Sequence, residues 1–361
     1  MKITIVGAGH GGTTIAADLK EKGHFVKLLK TSKGLHNEHF EYLKENNGEI
    51  TLLEDANETS VKIDEVTTDI KKAITGAEII IIYVQTNYHE QVIRSILPFI
   101  TDDQIVLLEP GYLSTAYFLK HKKYMNFTIV EAQSSPIDCR IIAPGKVKVL
   151  YRNSRNPVAI FTEKDKANIQ NKLDELQYNF IYLETVIEAA LHNPNLIVHT
   201  IGGIMSMPRI EYTVGEYWMY KEVFTPQVWN IVDSLDGEKM DVLEKVGAER
   251  LSYVDACRFR NSKDLSIDSK QAFLDYAKNS SPEGPFEADS RFITEDVPEG
   301  LVLLESLGQM LDVKTPTCTG LINIASSALN IDFRKNARTV EQLGKENLAI
   351  IMAQRNAVPS L

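Results

Sequence analysis

The chain lacks any apolar run long enough to cross a bilayer. Its longest such run covers residues 79–84, whereas a membrane-spanning helix needs roughly 20 residues. The apolar start at residues 1–6 ends in a polar glycine-rich loop, which is not the pattern of a secretory signal. We therefore expect a cytoplasmic protein.

Cysteine and clustered positive charge are also scarce. Cys139, Cys257 and Cys318 are far apart and show no metal-ligand spacing, which indicates buried thiols in a reducing compartment and no metal site. The formal net charge is -10, and lysine and arginine form no cluster. This composition argues against a nucleic-acid or anionic-membrane surface, because both need a basic face, and favours a small-molecule partner.

The chain has no low-complexity segment and no internal repeat. Its 361 residues are too many for one ordinary core, so two domains are expected. The first part alternates short β-branched runs with helical stretches, which is typical of a parallel sheet with helices on both faces. From about Leu183 onward the pattern becomes mostly helical. We predict a doubly wound α/β domain over 1–183 and an all-α domain over 184–361.

The individual elements can be outlined from apolar runs and helix-start signals. The predicted strands are 2–6, 25–29, 78–84, 104–108 and 127–130, with 147–151 and 158–161 extending the same sheet. The predicted helices of the second domain begin at Thr225-Pro226 and near Ser266, Pro298 and Thr315-Pro316.

A glycine-rich loop follows the first predicted strand and opens an amphipathic helix. Gly7, Gly9 and Gly12 have the G-x-G-x-x-G spacing of a dinucleotide-binding turn. These glycines permit the tight turn, the approach of backbone to a pyrophosphate and close helix packing, and the helix N-terminus supplies N–H groups for the anion. The alternative is a glycine-rich turn in another α/β protein. We predict an NAD(P) site that also includes His10 and Gly11.

The second predicted strand lacks the terminal acid that usually binds the ribose 2′-hydroxyl of NAD. It ends in Leu29-Lys30-Thr31-Ser32-Lys33. Lys30 and Lys33, with neighbouring hydroxyls such as that of Thr31, could pair with a 2′-phosphate, so NADP is predicted in preference to NAD. The alternative is an ordinary solvated loop.

Another cofactor segment follows the predicted strand at 78–84. Val84 and Thr86 lie at the carboxyl end of this strand, where ligands of open α/β sheets bind. We predict that they line the cofactor. His89 either takes a direct part or simply starts the next helix.

His199 is the first candidate for proton transfer. It follows Asn193-Pro194-Asn195 and precedes Gly202-Gly203, two small residues that let another group approach. Imidazole accepts and donates protons near neutral pH, which general acid/base chemistry requires. His192 is the alternative candidate.

Arg291 and Asp296 form a second candidate group just before a predicted helix. An arginine can hold a planar carboxylate with two parallel hydrogen bonds, and a buried carboxylate can orient an imidazole. The alternatives are an N-cap role for Asp296, because Pro298 follows in the first turn, and a surface ion pair for Arg291.

Five blocks in order resemble the octopine/nopaline (opine) dehydrogenase family over nearly the whole chain. They are residues 7–12, 131–140, 193–199, 291–298 and 332–344. The resemblance implies a Rossmann-type domain with a helical substrate domain. It also implies NAD(P)H-dependent reduction of the imine between a 2-oxo acid, commonly pyruvate, and the amino group of an amino acid. The sequence is compatible with a homodimer.

The resemblance also implies roles for particular residues. His199 would transfer protons with Asp296 as its carboxylate partner, and Arg291 would bind the substrate carboxylate. Glu131 lies in a block that borders the amino-substrate pocket in relatives. The chain departs from the family at Ile137, where an aromatic residue is frequent, so the amino-acid specificity stays open.

Two other functions remain alternatives. One is a 2-oxo-acid or ketone reductase of the ketopantoate-reductase or glycerol-phosphate-dehydrogenase type, which shares the layout and usually relies on a lysine in the helical domain. The other is a nucleotide-sensing protein without turnover, which the combined histidine, aspartate and arginine disfavour.

Overall fold

The computed structural model describes residues 1–32, 34–122, 124–162, 164–213 and 216–354. The chain separates into two compact units, Met1–Val186 and Ile187–Leu361. No helix within the described ranges has the length and apolar character needed to span a membrane.

In its described residues the first unit has twelve strands, and most of its helices lie between them in sequence. The strands are β1 (Lys2–Val6), β2 (Phe25–Leu29), β3 (Glu49–Glu54), β4 (Asn57–Lys62), β5 (Glu65–Thr67), β6 (Ile79–Ile82), β7 (Ile105–Leu108), β8 (Thr128–Ala132), β9 (Ile137–Ala143), β10 (Lys146–Arg152), β11 (Asn156–Phe161) and β12 (Phe180–Leu183). The helices are α1 (His10–Glu21), α2 (Asn37–Glu45), α3 (Ile70–Ile74), α4 (His89–Ile96), α5 (Thr115–His121) and α6 (Lys166–Asp174).

The main sheet has eight strands in the order β12-β11-β8-β7-β6-β1-β2-β5. All neighbouring strands pair in parallel except β8 and β11, which are antiparallel to each other; β11 and β12 are again parallel. The central strands are buried throughout, as in the four isoleucines of β6, because helices cover both faces. The strand order reverses between β1 and β6, and ligands of such sheets bind at the carboxyl edge beside this point.

A second sheet has the order β4-β3-β10-β9. The prediction that 147–151 extends the parallel sheet is therefore wrong, because this segment lies in β10, which pairs with β3 and β9. Its side chains alternate between exposed and buried at the start, the pattern of a sheet with one covered face. The predicted strand 158–161 does join the main sheet as β11.

The second unit is helical in its described part, where the only strand-like pairing is a single bridge between Trp218 and Gly284. Its helices, with α7 crossing the boundary, are α7 (Val186–Leu191), α8 (Asn195–Thr213), α9 (Met219–Glu222), α10 (Pro226–Lys245), α11 (Tyr253–Asn261), α12 (Ser269–Asn279), α13 (Arg291–Thr294), α14 (Val302–Met310), α15 (Pro316–Leu329), α16 (Val340–Leu343) and α17 (Lys345–Ala353). The predicted α/β plus all-α architecture is confirmed.

Helix starts in this unit follow the sequence signals closely. α10 and α15 begin at Pro226 and Pro316, since proline suits the first helical position. α12 begins at Ser269 and is capped by Asp268, whose side chain accepts a hydrogen bond from the Gln271 amide at 3.0 Å. The predicted helix near Pro298 begins as a π-helical turn, Val297–Leu301, that leads into α14.

The three cysteines are buried thiols, as predicted, and none forms a disulfide.

Candidate active site

The glycine-rich loop has the close approaches that a dinucleotide site needs. Gly7 has φ of +120°, and a Cβ there would lie 2.2 Å from the carbonyl oxygen of Tyr83. A Cβ on Gly12 would lie 1.8 Å from the Gly7 oxygen. Gly9 precedes α1 with extended backbone and provides no side-chain cap, so the N–H groups of this helix end can bind an anion. The loop therefore fits the pyrophosphate of a dinucleotide.

His10 and Gly11 fix this loop to its surroundings. The His10 Nδ1 atom accepts a hydrogen bond from the Ile141 amide at 2.9 Å, and its ring meets the His36 ring edge-on at 4.7 Å. A Cβ on Gly11 would lie 2.8 Å from the Tyr83 ring. These contacts position the loop, and direct contact of His10 or Gly11 with a cofactor stays a prediction.

Lys30 is buried rather than extended into solvent. Its ammonium group donates hydrogen bonds to the Leu35 carbonyl oxygen and to Ser32 Oγ, the latter at 3.1 Å. Burial lowers the pKa of Lys30, although Glu41 opposes this change. Thr31 is half-buried, and Lys33 lies outside the described residues. The predicted contact with a 2′-phosphate stays a prediction.

The segment after β6 is tied together by His89. Its Nδ1 atom lies 2.6 Å from Ser114 Oγ, and its Nε2 atom lies 3.3 Å from the Val84 carbonyl oxygen. His89 is fully buried and begins α4, so the structure favours the alternative of a helix-start residue. Thr86 is buried in the short 3₁₀ turn that precedes it. A cofactor contact by Val84 or Thr86 stays a prediction.

Glu131 is engaged by the backbone of its own unit. Its carboxylate accepts hydrogen bonds from the Leu113 amide at 2.8 Å and from the Thr115 amide and hydroxyl, both at 2.6 Å. The residue is 0% exposed. This carboxylate therefore holds the start of α5 in place, and the predicted contact with an amino substrate stays a prediction.

His199 and Asp296 lie together in the second unit, although 97 residues separate them. His199 Nδ1 is 2.8 Å from Asp296 Oδ2, and the two side chains are 8% and 1% exposed. A carboxylate at this distance accepts the Nδ1 proton and supports a positive charge on the imidazole. The pair can therefore accept a proton through Nε2 and return it.

Aromatic packing and a small residue set the position of the imidazole. The Phe292 ring stacks on His199 with centroids 3.7 Å apart and planes 10° apart. Phe292 lies on α13, which packs closely against α8. A Cβ on Gly203 of α8 would lie only 3.0 Å from the Ile293 side chain of α13, so a larger residue at position 203 would crowd this contact. The small residues after His199 thus allow the approach that the sequence predicts. Sequence reasoning missed Phe292, because no pattern in one chain reveals which ring will stack.

Asp296 does not act as a helix cap through its side chain. It precedes the π-helical turn without a side-chain capping hydrogen bond. Its carboxylate is directed to His199 instead. The structure therefore disfavours the capping alternative, and π-helical turns are frequent at functional sites.

Arg291 begins α13 and makes an ion pair within one helical turn. Its Nη1 atom lies 3.4 Å from Glu295 Oε2, and its side chain is 49% exposed. Within the described ranges this is its one side-chain hydrogen bond. The rest of the guanidinium can therefore bind a carboxylate with two parallel hydrogen bonds.

His192, the rival candidate, is buried in a different environment. Burial first, and Lys239 second, lower the pKa of His192 to about 3. Neither ring nitrogen has a hydrogen-bond partner among the described residues. A neutral imidazole without an orienting carboxylate is poorly suited to proton transfer at neutral pH, so the geometry favours His199.

Comparison with known proteins covers both units. Residues 182–329 match the α-helical domain of NAD/NADP octopine/nopaline dehydrogenases, and residues 2–114 match the N-terminus of NAD-dependent glycerol-3-phosphate dehydrogenase. An opine dehydrogenase from Arthrobacter sp. (strain 1C) is 26% identical over 357 residues, or 95% of each chain.

Solved structures share the fold. An octopine dehydrogenase in complex with NADH and agmatine has a TM-score of 0.78 at 17% identity, with 98% of each chain covered. A yersinopine dehydrogenase with NADP+ bound has a TM-score of 0.71 at 17% identity, with 99% of each chain covered. The chain is therefore an NAD(P)-dependent oxidoreductase that acts on CH–NH donors; it contains the α-helical domain of octopine/nopaline dehydrogenases at residues 182–329 and resembles opine dehydrogenases over nearly its whole length.

Proposed function

We propose that the protein condenses a 2-oxo acid with the amino group of an amino acid and reduces the product with NAD(P)H, and that it also runs the reverse oxidation. The observation that carries this proposal is the His199–Asp296 pair, with Nδ1 and Oδ2 at 2.8 Å. Pyruvate is the proposed oxo acid, because the octopine dehydrogenase of similar fold was solved with NADH and pyruvate.

His199 is the proposed proton-transfer residue. An amine must lose a proton before it attacks a carbonyl, and the hydroxyl of the resulting carbinolamine must gain one to leave as water. One imidazole can do both, because the proton accepted from the amine at Nε2 can be returned to the departing hydroxyl. Asp296 keeps the other proton on Nδ1 and stabilises the imidazolium between the two steps.

Arg291 is the proposed ligand of the 2-oxo acid. Its guanidinium is half-exposed and lies on the same short segment as Phe292, which stacks on His199. Two parallel hydrogen bonds to the substrate carboxylate would fix the carbonyl carbon relative to the imidazole.

Cofactor binding is assigned to the loop Gly7–Gly12 and the N-terminus of α1. When bound, NAD(P)H supplies the hydride. We propose that NADP(H) is preferred, because β2 is followed by Lys30-Thr31-Ser32 and not by an acid that would repel a 2′-phosphate.

The experiment follows oxidation of NADPH and NADH with pyruvate alone, and then with pyruvate plus each amino acid in turn. The proposal expects oxidation that depends on the amino acid. Equal oxidation by pyruvate alone would instead identify a simple 2-oxo-acid reductase. The proposed chemistry is wrong if NADPH and NADH are oxidised in none of these reactions and also in none in which another 2-oxo acid replaces pyruvate.

A further inference from the structure

Three polar side chains meet at the carboxyl edge of the main sheet. Tyr83 follows β6, Glu109 follows β7 and Ser135 comes shortly after β8, and these strands are parallel neighbours. The Tyr83 hydroxyl donates a hydrogen bond to Glu109 Oε2 and lies 3.0 Å from Ser135 Oγ. The three groups therefore form one network at the edge where ligands of such sheets bind.

This network lies directly against the nucleotide loop. A Cβ on Gly7 would be 2.2 Å from the Tyr83 carbonyl oxygen, and a Cβ on Gly11 would be 2.8 Å from the Tyr83 ring. Tyr83 and the loop are therefore in close contact, and a shift of Tyr83 toward Gly7 or Gly11 would displace the loop. Glu109 is linked to the loop through the hydrogen bond that it accepts from Tyr83.

Glu109 is buried and only half satisfied. It is 2% exposed, and its Oε1 atom has no hydrogen-bond partner among the described residues. Burial raises the pKa of Glu109 to about 8, and the hydrogen bond from Tyr83 only partly opposes this effect. The carboxyl is therefore neutral at pH 7, and it ionises within an accessible range.

Two tyrosines lie close to Glu109, and neither ionises near pH 8. Burial raises the pKa of Tyr83 and of Tyr178 well above the usual value. Glu131, opposite Leu108 on β8, is held by the backbone of residues 113–115. Ser135 does not titrate.

We propose that Glu109 is a positioning residue of the cofactor site, which favours dinucleotide binding as the neutral acid and weakens it when ionised. Two effects act together. The negative charge on Glu109 repels the anionic pyrophosphate, and it strengthens the hydrogen bond that Glu109 accepts from Tyr83, which contacts the loop. A second negative charge near the site of the anionic ligand is expected to weaken dinucleotide binding roughly tenfold. The inference depends on dinucleotide binding and not on the chemistry of His199.

The test measures the Kd of NADPH and NADH from cofactor fluorescence, without substrate, between pH 6.5 and 9.5. Because burial raises the pKa of Glu109 to about 8, the wild-type Kd is expected to rise roughly tenfold with a midpoint near pH 8. Glu109→Gln should keep the low-pH affinity throughout. Glu78→Gln is the matched control, because it removes an exposed acid at the opposite end of β6, and it should behave as wild type.

Tyr83→Phe provides a second, independent arm. The hydrogen bond from Tyr83 lowers the pKa of Glu109, so its removal should move the midpoint of the binding curve to higher pH. A wild-type Kd that stays constant to pH 9.5 overturns the inference. So does a loss that persists in Glu109→Gln, or a midpoint that does not rise in Tyr83→Phe. Because no substrate is present, these outcomes test the role of Glu109 in cofactor binding and do not test the proposed reaction.

Discussion

Replacement of His192 by leucine separates the two candidate histidines of the helical unit. His192 is 5% exposed, and neither ring nitrogen has a hydrogen-bond partner among the described residues. Leucine has a similar volume and needs no partner. An apolar side chain at such a position costs little or stabilises the fold, so His192→Leu should fold and keep wild-type turnover at pH 7.5.

The size of the effect follows from the pKa of His192, which burial and Lys239 lower to about 3. An unfolded histidine titrates near 6.5. Because the pKa of His192 is lower in the folded protein than in the unfolded chain, protons bind preferentially to the unfolded chain below pH 6.5. The free energy of unfolding is therefore at its full value above pH 6.5 and decreases as the pH falls toward 3. Between pH 7.5 and pH 5 the wild type should lose about 2 kcal/mol through this group. The leucine variant should not show this part of the loss.

The assay is urea denaturation of wild type and His192→Leu at pH 7.5 and pH 5, with turnover measured at pH 7.5. The difference in unfolding free energy between the two proteins should shift by about 2 kcal/mol in favour of the variant at pH 5. His121→Leu, which replaces an exposed histidine, is the control and should show no such gain. A pH-independent difference, or a collapse of turnover in His192→Leu, would refute the reasoning.

Three further predictions concern the site itself. Arg291→Lys should chiefly raise the KM for the oxo acid, because lysine cannot form the bidentate contact; an unchanged KM would place the carboxylate elsewhere. Lys30→Asp should shift the ratio of kcat/KM values toward NADH, with Lys30→Met as a control for loss of the buried amine, and continued preference for NADPH would contradict it. Phe292→Leu should lower kcat about threefold to tenfold without changing the Kd of NADPH, because the ring stacked at 3.7 Å orients His199; wild-type kcat would show that the stack has no such role.

Local signals predicted the elements that are defined by a few neighbouring residues. The strand, glycine loop and helix of residues 2–21 could be read directly, because Gly7 and Gly12 must meet backbone within van der Waals distance. The placement of 147–151 in the wrong sheet shows the limit of this reading. Which sheet this segment joins depends on its pairing with β3, which is distant in sequence. In the sequence, only the alternation of Lys146-Val147-Lys148-Val149 indicated a strand with one face covered.

The site was predictable only where resemblance joined distant parts of the chain. Residue types alone left His192 and His199 as alternatives. The burial of His192 without hydrogen-bond partners among the described residues favours His199, whose role stays a prediction. The Tyr83–Glu109–Ser135 network could not be foreseen, because it depends on β6, β7 and β8 being neighbours. A polar residue directly after a buried strand was the available signal.

The most direct test of the proposed His199 chemistry compares turnover and cofactor binding in His199→Gln. Single-turnover reduction in the presence of pyruvate and the preferred amino acid should slow by about 100-fold or more, as expected for loss of a general acid/base. The Kd of NADPH should stay within about twofold of wild type, because the glycine loop is unchanged. A reduction rate close to that of wild type would contradict the assignment of proton transfer to His199.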